Sequence, residues 1–233
     1  MKDTHTNHII KVAGIITLSA VAGWLYLFIA EILYENTANK HWQSSRYKAR
    51  ATNPGNIRLV DSCTQLLQTG DLVVRRGDDM TSYMLAKLNP DDKTYSHCGI
   101  VVMEEGQPFV YHCIGGEDNP DAKMKRETAV QWFSPTNNHA FAAFRYSFQD
   151  SEISGLIKQL KTYYKQQVMF DMDFDLDTDD RLYCSEMVYK AICAATANQQ
   201  FFITDNSYGR RIIAIDKLYR KPDIRQVCQV RFK

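Results

Sequence analysis

The chain has 233 residues, 45% of them apolar and 24% charged, which is enough for a sizeable buried core and ordinary for a globular protein. A formal net charge of +1 removes any global electrostatic case for a nucleic-acid partner. No internal repeat, low-complexity tract or long run of one charge sign breaks the chain.

Residues 1–11 form a short polar flank, after which Val12 to Ala30 is uncharged and the apolar character continues past Glu31 to Tyr34. A helix over this run, at about 1.5 Å per residue, reaches roughly the thickness of a hydrocarbon core. The run predicts a single transmembrane anchor over 12–34, with Trp24, Tyr26 and Tyr34 towards one interface. The rival is a cleaved signal peptide, whose apolar region normally spans about 7–15 residues and ends at a small-x-small site. The following Glu31-Ile32-Leu33-Tyr34-Glu35 offers no such site, which favours an uncleaved anchor. Lys2 and Lys11 precede the run and Lys40, Arg46, Lys48 and Arg50 follow it, so the positive-inside count leaves the side of the globular domain open.

Residues 35–56 are polar, end in Asn-Pro-Gly-Asn and read as a linker; the globular domain is expected over 57–233. Gly70-Asp71 is a turn feeding a strand, Leu72 to Val74. Asp79 to Leu88 has the marks of a short helix closed by Asn89-Pro90. Two strands, Ser96 to Met103 and Pro108 to Ile114, are joined by the polar loop Glu104-Glu105-Gly106-Gln107. A further strand is expected at Ala140 to Tyr146, helices at Ser151 to Gln166, Leu182 to Ala197 and Ile212 to Tyr219, and a closing strand at Asp223 to Phe232. Central strands surrounded by helices and partly linked by hairpins indicate an α+β domain.

Candidate chemistry centres on Cys184. It opens the helix Leu182 to Ala197, in which Cys184, Val188, Ala191 and Ala195 repeat at helical spacing. Unpaired N–H groups at a helix start stabilise a thiolate, the nucleophilic form; a small buried hydrophobe is the plainer reading of the same residue. The six cysteines, Cys63, Cys98, Cys113, Cys184, Cys193 and Cys228, are too dispersed for a disulfide framework, and no CxxC pair is present. His97 opens one strand of the hairpin and His112 lies near the end of the other. Registers with i + j equal to 209 or 211 both place the two on one face, directly opposite in the first and diagonal in the second. Such a pair is a candidate base and orienter for a thiol nucleophile. With Cys184 the histidines could equally supply three ligands of a zinc site. Each alone is more simply a satisfied strand histidine. No glycine-rich phosphate cradle or other cofactor motif is present, and no cofactor is expected.

The motifs Gly70-Asp71-Leu72-Val73, Ser96-His97-Cys98-Gly99-Ile100-Val101 and Tyr183-Cys184-Ser185-Glu186, in that order, resemble the YiiX-like group of circularly permuted, NlpC-type papain-like cysteine hydrolases. The acidic and aromatic stretch Phe170 to Phe174 ahead of the cysteine is also similar to that group. The resemblance covers residues 68–195 and implies a permuted papain-like domain with a central antiparallel sheet. It implies Cys184 as nucleophile, His97 as general base and a third polar residue on the next strand, here His112 where the group often has glutamate. A Cys-His-His set is similar to lecithin:retinol acyltransferase-like enzymes, so peptide, cell-wall and lipid acyl substrates all remain open. The oxyanion would meet the Cys184 N–H, with Tyr183 the candidate support; Glu186 and Asp71 are expected to serve structure. The expected function is a membrane-anchored cysteine hydrolase or acyltransferase, acting on an amide or ester through a Cys184 acyl-enzyme. Alternatives are an inert binding module on the same fold, a zinc-dependent hydrolase, or a structural membrane protein.

Overall fold

The computed structural model describes residues 19, 21–27, 29–30, 48–116, 119–207 and 209–232. The chain divides into two units, residues 1–49 and 50–233, so the compact domain starts ahead of the expected Ile57. Residues 48–52 are helical and Pro54–Leu66 forms helix α1 (13 residues), so the end of the expected linker is structured. Asn53 caps α1 by accepting from the Gly55 N–H at 2.8 Å, and Pro54 takes the first helical position, where a missing N–H costs nothing. The expected span over 12–34 lies largely outside the described residues. Those described within it, 19, 21–27 and 29–30, are helical, and among the described residues no helix is long and apolar enough to cross a membrane.

The domain is built on six antiparallel strands in the order β4-β3-β2-β1-β5-β8. These are β1 (Leu72–Gly77), β2 (His97–Glu104), β3 (Gln107–His112), β4 (Lys125–Thr128), β5 (Asn138–Arg145) and β8 (Arg225–Arg231). A separate two-stranded ribbon pairs β6 (Asp205–Ser207) with β7 (Arg210–Ile212). The helices after α1 are α2 (Met80–Lys87), α3 (Ala129–Trp132), α4 (Asp150–Gln166), α5 (Cys184–Thr196) and α6 (Ile215–Tyr219). The mixed architecture with a central antiparallel sheet is the one expected. The expected helix at 212–219 is shorter: Arg210 to Ile212 pair as a strand, and α6 begins at Ile215.

Strand alternation divides the core in two. Leu72, Val74, Cys98, Ile100 and Val102 face a large cluster that includes Leu156 and Leu160 of α4 and Met187, Val188, Ala191 and Ile192 of α5. Val73, Val101, Val110, Phe141 and Ala143 face a smaller cluster covered by Val60 and Cys63 of α1 and by Ala129, Trp132 and Phe133 at α3. The β1 entry is fixed by Gly70, in a left-handed conformation (φ +92°), and by Asp71, fully buried. Asp71 accepts from Arg145 Nε and Nη2, both at 2.7 Å, and from the Gln68 N–H at 2.8 Å. Its role is structural, as the sequence indicated.

Candidate active site

Helix α5 presents Cys184 at its first position, after Tyr183 in extended conformation. The helix start is held by Glu186, whose Oε2 accepts the Tyr183 N–H at 3.0 Å while Oε1 pairs with Lys190 at 2.9 Å. Burial pushes the Glu186 carboxyl up to about 7. Ser185 donates to the Ile213 carbonyl at 2.7 Å, and the Tyr183 hydroxyl accepts from the Ile213 N–H at 2.9 Å. Tyr183 therefore ties the helix start to the segment ahead of α6, and the structure gives its hydroxyl no hydrogen bond to Cys184.

The two histidines meet on the other face of the sheet. Ile100 faces Tyr111 and Val101 faces Val110, the i + j = 211 register, so His97 and His112 are diagonal neighbours. His97 Nε2 and His112 Nδ1 are 3.0 Å apart. Gly99, directly opposite His112 in this register and two residues from His97, permits the approach: a Cβ there would stand 2.8 Å from the Tyr111 carbonyl oxygen and 3.1 Å from His112 Cβ. A third member, which sequence reasoning missed, extends the chain. Glu127 on β4, diagonal to His112 in the β3–β4 register, places Oε2 3.4 Å from His112 Nε2. That separation is long for a hydrogen bond, and the Nε2 finds no partner meeting hydrogen-bond geometry. The contact is electrostatic, and it holds Glu127 below its usual carboxylate range.

This order assigns the tautomers. An ionised Glu127 only accepts, so the hydrogen of His112 belongs on Nε2 and its Nδ1 accepts from His97 Nε2–H. His97 Nδ1 is left with the lone pair, the nitrogen a general base needs. Burial pulls His97 well below its ordinary value, with the Arg75, His112 and Lys125 charges acting in the same direction, so the ring is neutral at neutral pH. Burial also lowers His112, against a raising contribution from Glu127.

Trp132, fully buried on α3, is the floor of this pair, with ring centroids 5.0 Å from His97 and 4.6 Å from His112. Arg75, paired with His97 across β1–β2, lays its guanidinium carbon 4.1 Å from the Trp132 ring centroid. Thr128 and Gln131 cap α3 reciprocally, a Thr-x-x-Gln signal readable in the sequence that would have located this helix.

The thiol lies on the opposite side of β2 from the imidazoles, because Cys98, the residue next to His97, points into the α5 face. Interaction with the Cys98 thiol is the largest influence on Cys184 and lowers its pKa; the backbone N–H groups of Cys98, Ser185 and Cys184 add to it against burial. Cys98 itself is pushed well up by burial and by the thiolate beside it. The structure thus joins His97 to His112 and Cys184 to Cys98, and among the described residues no hydrogen bond joins Cys184 to either histidine. The two halves meet at the His97–Cys98 peptide group, where β2 begins. Phe170 to Phe174 is a loop wound on buried Asp171, which accepts from the Asp173 and Asp175 N–H groups at 2.8 Å each.

No family model matches the sequence, and no curated protein does. The fold matches the crystal structure of metalloprotein yiiX from Escherichia coli O157:H7 (DUF1105) at a TM-score of 0.58 and 20% identity, over 70% of this chain and 97% of that one. The chain therefore has a YiiX-like fold. Among the described residues no three His, Cys, Asp or Glu side chains gather as a metal's donor set. With Cys184 on the far side of the strand from the histidines, the residues present do not fit the three-ligand zinc site that the sequence left open.

Proposed function

We propose that this protein, of YiiX-like fold, is a cysteine hydrolase or acyltransferase of the permuted papain-like type, acting on an amide or ester through an acyl-enzyme on Cys184. The observation that supports it is a cysteine at the first position of a helix, packed in one cluster with Cys98, the residue next to a histidine whose Nε2 is held 3.0 Å from His112 Nδ1. The thiolate attacks the carbonyl carbon, and the resulting oxyanion meets the N–H groups at the α5 start. His97 Nδ1 takes the thiol proton through water round the start of β2 and returns it to the leaving group. His112 and Glu127 act as positioning residues that fix the His97 tautomer. Hydrolysis of the thioester by water frees the enzyme; an acceptor alcohol or amine in place of water gives transfer.

The test is iodoacetamide labelling across pH, read cysteine by cysteine by mass spectrometry on the full chain. Cys184 should label fastest of the six, with an apparent pKa below about 8.5. Cys98→Ala should raise that pKa and slow labelling at neutral pH several-fold, because the largest lowering influence is gone. Labelling of Cys184 no faster than Cys63 or Cys228 would leave a binding module on the same fold.

The reading keeps 12–34 as a membrane anchor on the length of its uncharged run alone. The full chain should then stay with membranes through alkaline carbonate washing, and a chain lacking 1–49 should not. Release of the full chain into the wash would remove the anchor from the proposal.

A further inference from the structure

Resting on the reading of Cys184 as nucleophile, we propose that Arg75 binds an anionic group of the substrate, a carboxylate or phosphate, beside the scissile carbonyl. Arg75 is half-buried on β1, on the same face as His97 and directly across from it. Its guanidinium stacks on Trp132, which also carries both histidine rings. Within the described residues its hydrogen bond is a single long one, from Nη1 to the Trp132 carbonyl at 3.4 Å.

A guanidinium has five donors in a planar fork that fits a carboxylate or phosphate two bonds at a time. In Arg145, Arg126 and Arg211 that fork is taken, by Asp71, Glu104 and Asp177. Glu127 and Asp79 are near enough for Arg75 to feel their charge, yet neither is within ion-pairing distance, Glu127 being turned to His112 and Asp79 to the start of α2. A cation drawn out of water without a carboxylate partner favours an anion brought by a ligand. Arg75 faces His97, whose neighbour Cys98 packs in the same cluster as Cys184, so an anion seated on Arg75 lies at the start of β2 where thiol and base meet. Trp132 gives the guanidinium a rigid backing, so little freedom is lost on binding.

Two alkylating agents of nearly equal size separate charge recognition from thiol reactivity. In each, the Cys184 sulfur forms a bond to the CH2 carbon and iodide leaves; iodoacetate carries a carboxylate where iodoacetamide carries a neutral amide. The ratio of their rates at Cys184, divided by the same ratio for glutathione, should exceed one by about five- to tenfold at pH 7 and low salt. Arg75→Gln should return it to one, and Arg75→Lys should leave it between. A general effect of Arg75 on the thiolate would change both rates together and leave the ratio unmoved. A wild-type ratio of one overturns the proposal without need of a variant, and a raised ratio that survives Arg75→Gln overturns it as well.

If Cys184 labels slowly with both agents, the nucleophile reading fails, and the anion site is decided separately. The Trp132 indole N–H resonance is followed while inorganic phosphate and acetate are titrated into the full chain. A saturable shift lost in Arg75→Gln keeps the site, and the anion that acts at lower concentration identifies a phosphate or a carboxylate as its ligand. No shift with either anion overturns it.

Discussion

His97→Ala should slow acylation of the enzyme by a p-nitrophenyl ester by about 10²–10⁴-fold, the range a positioned general base supplies. The reading is the burst of nitrophenolate that accompanies acyl-enzyme formation, which Cys184→Ala should abolish. The effect is large because three of the four ring nitrogens in the His97–His112–Glu127 chain are already committed, and His97 Nδ1 is the one left to receive the thiol proton. The pH profile adds a second signature. Burial, Arg75, His112 and Lys125 all lower the His97 pKa, and a base with a lowered pKa stays unprotonated further into acid. Acylation should therefore persist as pH falls below the ordinary histidine value of 6.5 and fail only at the depressed one. Glu127→Gln removes the anion that raises His112 and fixes its hydrogen, so it should slow acylation less than His97→Ala does. If His97→Ala acylates within twofold of the wild type, the ring has no part in the chemistry and its place under Arg75 is packing.

The elements that periodicity can express were legible. The β2–β3 hairpin, α4 and α5 all carry long regular patterns, and the register found is one of the two odd sums that put His97 and His112 on one face, where an even sum would have separated them. What escaped was short or non-local. Helix α3 has only four residues and β4 has four, too few to show a period, yet they bring Trp132 and Glu127 to the histidines. Arg75 lies just past the strand expected at Leu72 to Val74; only the β1–β2 register sets it beside His97. Alternation also held a warning: His97 and Cys98 are neighbours, so a thiol that packs against Cys98 cannot share a face with His97. That relation depends on which face α5 covers, and no local pattern in the sequence states it.

The largest loss of stability should come from Trp132→Ala, by about 3–5 kcal/mol, the usual cost of deleting a large aromatic side chain from a core. Trp132 is fully buried in the smaller apolar cluster, and its ring also contacts His97, His112 and Arg75, so truncation leaves a cavity bordered by three polar groups as well as apolar ones. For a domain of this size each kcal/mol is worth about 2–4 °C, so thermal unfolding should move down by roughly 10 °C. Among the described residues the indole N–H has no partner, so removing it breaks no hydrogen bond seen there, and the loss is one of packing. Trp132→Phe distinguishes floor from filler: a phenyl ring keeps an aromatic face for the guanidinium and the imidazoles and should recover most of the midpoint. A midpoint for Trp132→Ala within about 2 °C of the wild type would mean that the histidine pair holds its place without the indole. The fixed geometry that leaves His97 Nδ1 free would then have to come from Gly99 and the strand register alone.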